Sequence, residues 1–258
     1  MTWTKTRFPA PHAACFEADG LRWLGRAEDG VRVAQVVSVG PGRLELERID
    51  SGPAAPEAAA DFGANLARTH AAGAPYFGFI PGDTPGYMGQ APLPPAPGPA
   101  EATGWGEFYA HHRVLPFLRR AVEQGRIGSD GAAVIERVVE RLVAGDLDHD
   151  QPDLVQGAAR LHGDLWNGNV LWDARDGSAV LIDPTAHGGH AETDLGMLDL
   201  FGLAHLERVL TGYQEVSALA PGWQERVSLH QLNPLLVHTV LFGGGYAEAA
   251  VSAAQPYA

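Results

Sequence analysis

Apolar positions along this chain fall either about four apart or in short unbroken runs, and the two patterns predict helices and strands respectively. Phe16, Leu21 and Leu24 suit an amphipathic helix with one buried face. Leu44 to Ile49, LELERI, reads as a strand that ends a small first unit. In the run from Pro56 to Gly73, Phe62, Leu66 and His70 stand four apart and predict the first long helix. A second helix is expected from Trp105 to Arg126, carried by Phe108, Val114, Phe117, Leu118 and Val122, and a third from Ala132 to Val143. Two apolar stretches, NVLWD and AVLID, flank a turn at Ala174 to Ser178 and predict a hairpin. Leu198 to Ala218 and Leu232 to Ala254 read as closing helices separated by a turn at Pro221 and Gly222. Prolines forbid regular structure over most of Phe79 to Ala100, leaving a linker or a loop near a cleft. No internal repeat is evident.

Composition narrows the class. A chain of 258 residues with 45% hydrophobic content is long enough to bury a proper core. No apolar run approaches the length of a membrane span, and the N-terminal stretch lacks a basic-then-apolar leader pattern, so a cytoplasmic protein without a membrane partner is expected. The net charge of −13 argues against nucleic acid and is compatible with an amine-bearing ligand. Cys15 is the single cysteine, which excludes an internal disulfide. Eleven histidines include the pairs His111 with His112 and His187 with His190, but no HExxH-type spacing, so zinc chemistry is not expected.

The chemistry concentrates between Arg160 and Asp183, RLHGDLWNGNVLWDARDGSAVLID. Phosphoryl transfer to a hydroxyl needs a carboxylate to orient the nucleophile and oxygen ligands for magnesium. Asp164 lies in HGDLWNGN, Asn169 follows five positions later, and the hairpin returns Asp183 beside Asn169. Asp164 is therefore the expected catalytic base, and Asn169 and Asp183 the expected metal ligands. Each residue alone would be an ordinary turn former. Their joint spacing is what carries the reading. The tripeptide Asp61, Phe62, Gly63 repeats a kinase metal motif by chance, because it lies inside a helical pattern and precedes the catalytic loop.

HGDLWNGN and the continuation IDPTAHGGHAETDLGMLDLFG, together with WGEFYAHHRVLP and LNPLLVHTVLFGGGY, resemble the fructosamine kinases, or ketosamine 3-kinases, of the aminoglycoside-phosphotransferase branch of the protein-kinase-like fold. The resemblance covers nearly the whole chain. It implies an α+β bilobal architecture, with a small β lobe at residues 1–50 and a mainly helical catalytic lobe at 51–258. It implies ATP and Mg²⁺ as cofactors and the 3-hydroxyl of a ketosamine as acceptor. It further implies that Lys5 contacts nucleotide phosphates and that Glu17 holds Lys5 as an ion pair. Adenine is expected at the backbone of Glu47 to Ile49. Trp166 is expected either to stack on a sugar ring or to pack under its loop. His190 and Glu192 are expected either to shape the acceptor pocket or to order the loop. Asp194 and His162 are expected to hold the catalytic loop.

The N-terminal end departs from the family pattern. If Lys5 is on the third strand of the lobe, two strands and a glycine-rich phosphate loop have no counterpart, and a misassigned start is the expected reason. Two alternatives to the ketosamine reading stay open: a kinase of another amine-bearing small molecule, and a pseudokinase. Oligomeric state is not legible.

Overall fold

The computed structural model describes residues 1–82, 84–96, 98 and 104–258. Its first unit is a sheet of order β1-β4-β3, built from β1 (Thr2–Lys5), β3 (Val36–Gly40) and β4 (Arg43–Glu47), all antiparallel. α1 (Ala13–Leu24) packs on it because Ala14, Ala18 and Leu21 form one buried stripe against Leu44 and Leu46. Phe16 faces another way, into the main helical core beside Met88 and Leu93. β2 (Arg32–Val33) runs parallel to β9 (Ala179–Leu181), and β9 pairs antiparallel with β8 (Val170–Trp172). The small sheet unit is thus stitched directly to the hairpin that carries the catalytic motif. Val180 belongs to the same apolar cluster as Leu44 and Leu46.

The remaining chain is mainly helical. α2 (Pro56–Ala71) crosses α7 (Leu206–Val216) at a distance only glycine permits. A Cβ on Gly63 would lie 1.9 Å from the Val209 carbonyl oxygen, and one on Gly212 would lie 2.0 Å from that of Ala60. The helix expected over Trp105 to Arg126 is α3 (Trp105–Tyr109) and α4 (Leu115–Glu123) joined by a π turn at Ala110–Val114. Pro116 explains the widening, since it removes an N–H and its ring crowds the preceding turn. α5 (Ser129–Val143) begins three residues before the expected start at Ala132.

The closing helices are cut differently from the expectation. α6 (Ala191–Phe201) ends at Gly202, α8 (Trp223–Phe242) starts after Gly222 and ends at Gly243, and α9 (Tyr246–Ala254) follows. Gly202 and Gly243 have positive φ, which stops helices at positions the apolar period does not mark, while Gly222, also at positive φ, lies at the expected turn before α8. Pro234 lies inside α8, and the backbone it disturbs is repaired by Tyr109. The Tyr109 hydroxyl donates to the Leu229 and His230 carbonyls at 2.9 and 3.3 Å and accepts from the Asn233 N–H at 3.0 Å. The proline-rich segment is not wholly irregular: β5 (Tyr87–Met88) and β6 (Ala91–Pro92) form a two-residue-stranded hairpin over the cleft. Asp83, Pro97, Pro99 and Ala100 of that segment lie outside the described residues. No helix among the described residues is long and apolar enough to cross a membrane.

Candidate active site

β7 (Ala159–Leu161) pairs with β10 (His187–Gly189), and the loop leaving β7 carries His162, Gly163 and Asp164. Gly163 is obligatory there: its φ is +80°, and a Cβ would come within 2.2 Å of the Thr185 carbonyl oxygen. The loop is pinned from behind by buried Asp194 of α6. Its two oxygens accept the N–H groups of His162 and Gly163 at 2.7 and 2.9 Å, and one of them also meets His70 Nε2 at 3.2 Å. Burial alone would raise the Asp194 pKa, yet the hydrogen bonds and charge from His70 and the loop amides hold it below the ordinary aspartate value. His162 accepts the Asp164 N–H on Nδ1 (3.2 Å) and donates from Nε2 to the Ile182 carbonyl (2.9 Å), with burial keeping the ring neutral. Asp194 and His162 therefore occupy the loop-holding positions expected of them.

Asp164, Asn169 and Asp183 converge. Asn169 Nδ2 donates to the Asp164 carbonyl at 2.8 Å and to its carboxylate at 3.1 Å, and it approaches the Asp183 carbonyl at 3.5 Å. That use of the amide nitrogen turns the Asn169 side-chain oxygen away from Asp164. Asp183 has φ +52°, a left-handed conformation unusual for a non-glycine residue and typical of strained functional positions. Burial raises the Asp164 pKa to about 6, the Asn169 hydrogen bond opposing this and the Asp183 charge adding to it.

Lys5 reaches the same point from the small sheet. Its Nζ stands 2.7 Å from Glu17 Oε2 and 3.1 Å from Asp183 Oδ1. The Asp183 contact is close enough for an ion pair but misaligned for a hydrogen bond, so Asp183 Oδ1 is buried without a hydrogen-bond partner. An under-satisfied carboxylate oxygen on Asp183 and a side-chain amide oxygen on Asn169 are hard donors of the kind a magnesium ion takes, so these two residues fit such an ion. Burial lowers the Lys5 pKa, but the Glu17 and Asp183 charges outweigh it and the net shift is upward. Glu17 is pushed up to about 7, by burial first and the Asp183 charge second.

Two cavities meet at Asp164. One of about 140 Å³ is lined by Lys5, Glu17, Tyr87, Gln90, Asp164 and Asp183. The other, of about 190 Å³, is lined by Asp164, Trp166, Met197, Val237, His238 and Phe242. Trp166 folds its ring over Gly168, whose Cβ would lie 2.4 Å from it, and remains 40% exposed at the second cavity. Of the two expected uses of that ring, packing at its own loop is seen, and its exposed part lines the second cavity. His238 and Phe242 were not singled out in the sequence. The run Pro234, Val237, His238, Leu241 is the signal that points to them, because it marks one helical face.

The acceptor-pocket alternative for two residues needs correction. His190 and Glu192 do not face the cleft. His190 caps α6 by accepting the Glu192 N–H, and Glu192 is a buried partner of Arg226, with contacts of 2.6 Å (Nη2 to Oε1) and 3.1 Å (Nε to Oε2). The reason is long-range pairing: Arg226 on α8 draws the carboxylate inward. At the expected adenine site, the Glu47 N–H is spent on the Gln35 carbonyl and the Arg48 N–H on that of Met1. The Glu47 carboxylate is taken by Arg32. Only the Ile49 N–H has no backbone or side-chain acceptor among the described residues, while its side chain packs in the same cluster as Ile182.

Histidines that no short spacing relates also cluster. His149, His190, Glu192 and His230 bring ligand-type atoms within 4.8 Å of one another. Every one of these atoms already has a partner. His149 bonds Leu147 O and His230, His230 bonds Thr193 and His149, His190 bonds Asp150 O and the Glu192 N–H, and both Glu192 oxygens accept from Arg226. A cation would also sit beside a guanidinium. The cluster is a hydrogen-bonded core around Trp105, whose ring lies 4.6 Å from His149 and 4.9 Å from His230.

Comparison with known proteins agrees with this geometry. The family model described as fructosamine kinase matches residues 10–257. A protein of Synechocystis named a probable ketoamine kinase is 34% identical over 241 residues, covering 91% of this chain and 75% of the relative. A crystal structure from Thermobifida fusca, assigned as a fructosamine-3-kinase, superposes with a TM-score of 0.83 at 46% identity, covering 93% of this chain and 78% of that one. The ADP-bound aminoglycoside phosphotransferase APH(2″)-Ib shares the fold alone, with a TM-score of 0.58 at 12% identity over 95% of this chain and 83% of that one.

Proposed function

We propose that this chain, which belongs to the fructosamine kinase family, transfers the γ-phosphoryl group of ATP to the 3-hydroxyl of a ketosamine such as a fructosamine or ribulosamine. It is a phosphotransferase with an alcohol group as acceptor. The observation that carries the proposal is that Asp164 lines both cavities, standing between a cation-bearing side suited to phosphates and a ring-lined side suited to an acceptor.

In the proposed reaction the acceptor hydroxyl oxygen forms a bond to the γ-phosphorus as the bond from that phosphorus to the β,γ-bridging oxygen breaks. The hydroxyl proton passes to the Asp164 carboxylate, and ADP leaves. A carboxylate with a pKa of about 6 is ionised at neutral pH yet basic enough to take a proton in the transition state. Lys5, held by Glu17, presents an ammonium to the phosphates. Asn169 and Asp183 would hold magnesium, which when bound neutralises charge developing on the phosphate oxygens. That a protein sharing this fold was solved with ADP supports the nucleotide assignment.

ATP turnover on fructosamine and ribulosamine acceptors tests the assignment. Asp164→Asn is expected to lose a factor of about 10² to 10⁴ in kcat, with an unchanged melting temperature. A variant that turns over like the parent removes Asp164 from the chemistry.

A further inference from the structure

Beyond Asp164, no other charged group among the described residues lines the second cavity. Its walls are Trp166, Met197, Val237, Leu241 and Phe242, with His238 as the one remaining titratable side chain. His238 donates from Nδ1 to the Pro234 carbonyl at 2.8 Å, and its ring lies tilted against those of Phe201, Tyr246 and Phe242 at centroid distances of 4.8, 5.1 and 5.4 Å. Burial lowers its pKa, so it faces the cavity as a neutral ring at physiological pH. The mouth is flanked by two of the few large apolar side chains that stay exposed, Trp166 and Phe242, the latter at 67%. Exposed rings lining one cavity are apolar surface that a ligand would remove from water. Of the chain's acidic side chains, Asp164 alone among the described residues lines this cavity, so the acidic balance is not concentrated here.

We infer that the space between Trp166 and Phe242 is a subsite for the substituent borne by the acceptor's amine, and that it selects apolar, uncharged substituents over those carrying a second cation. The inference rests on the ketosamine reading for the position of the sugar, which must reach Asp164. Its chemical basis is independent of that reading: a second ammonium placed beyond Asp164 in this subsite would lose water and, among the described residues, find no further carboxylate in return.

Two ribulosamines of equal length separate the possibilities, one made from butylamine and one from 1,3-diaminopropane, which differ only by a terminal methyl against a terminal ammonium. The butyl compound is expected to exceed the diamine by at least about tenfold in kcat/KM, mostly through KM, the scale on which an apolar pocket discriminates. Phe242→Ser, on an exposed side chain, is expected to reduce that ratio to below about threefold, since roughly a methylene or two of contact is lost. Equal kcat/KM values, or preference for the diamine, overturn the subsite. Calorimetric titration of the same compounds keeps the two claims apart. Binding that favours the butyl compound without turnover supports the subsite and refutes the kinase assignment, whereas absence of binding by either compound refutes both.

Discussion

Replacing Glu192 by Gln tests whether that carboxylate is structural or part of the acceptor pocket. Glu192 is 4% exposed at its side chain and Arg226 15%, and the guanidinium grips both oxygens. Breaking a buried pair from one side leaves an uncompensated charge, which costs about 3–5 kcal/mol. Arg226 keeps its bonds to the Pro221 and Ala220 carbonyls at 2.8 and 3.4 Å, so the lower end, about 3 kcal/mol, applies. For a protein of this size that lowers Tm by about 6–12 °C. The Glu192 pKa is depressed: burial pushes it up, but hydrogen bonds from His230 and Arg226 outweigh burial. The stabilisation is therefore complete above the ordinary glutamate pKa and is lost as pH falls through the lower folded value, so melts at neutral pH read all of it. Thermal melts of Glu192→Gln, Arg226→Met and the double variant form the assay. The double variant should be less destabilised than the sum of the singles by about 2 kcal/mol. A Tm within about 2 °C of the parent, with acceptor KM raised instead, would falsify the structural role.

Three further outcomes are expected. The acid limb of kcat/KM should lie near pH 6, with a tenfold loss per pH unit below it, because the raised Asp164 pKa delays formation of the carboxylate; a limb near pH 4 contradicts burial of that group. Gly163→Ala should be far more damaging than Gly177→Ala, although both residues have positive φ, +80° and +76°. Nothing lies within 4 Å of a Cβ at Gly177, so only the left-handed backbone penalty of about 1–2 kcal/mol applies there. At Gly163 the Thr185 carbonyl lies in the way as well, and urea midpoints that shift equally for the two variants would refute the clash. Gly63→Ala should destabilise more than Gly177→Ala for the same reason, since the Val209 carbonyl already fills the space.

The catalytic loop and its hairpin were legible in the sequence because their geometry is local. Gly163, the turn at Ala174 to Ser178 and the apolar strands around it fix the approach of Asp164, Asn169 and Asp183 within about twenty residues. Lys5 and Glu17 were legible only through family resemblance, since nothing in their own neighbourhood announces an ion pair. The inward turn of Glu192 depends on Arg226, 34 positions away, and the histidine core depends on His149 and His230, which no short spacing relates. The cuts in the closing helices followed positive-φ glycines rather than apolar period. The π turn before Pro116 was hidden because apolar spacing at Phe108, Val114 and Phe117 tolerates one extra residue.

α8 divides into two halves with different duties. Its inner half carries Arg226 and His230 and is tied to the first turn of α6, the same turn whose Asp194 grips the catalytic loop. Its outer half supplies Val237, His238, Leu241 and Phe242 to the wall of the second cavity. Divergence of acceptor range among descendants of such a chain can therefore proceed by drift at one tip of a single rod, while the opposite end keeps the phosphoryl machinery in register.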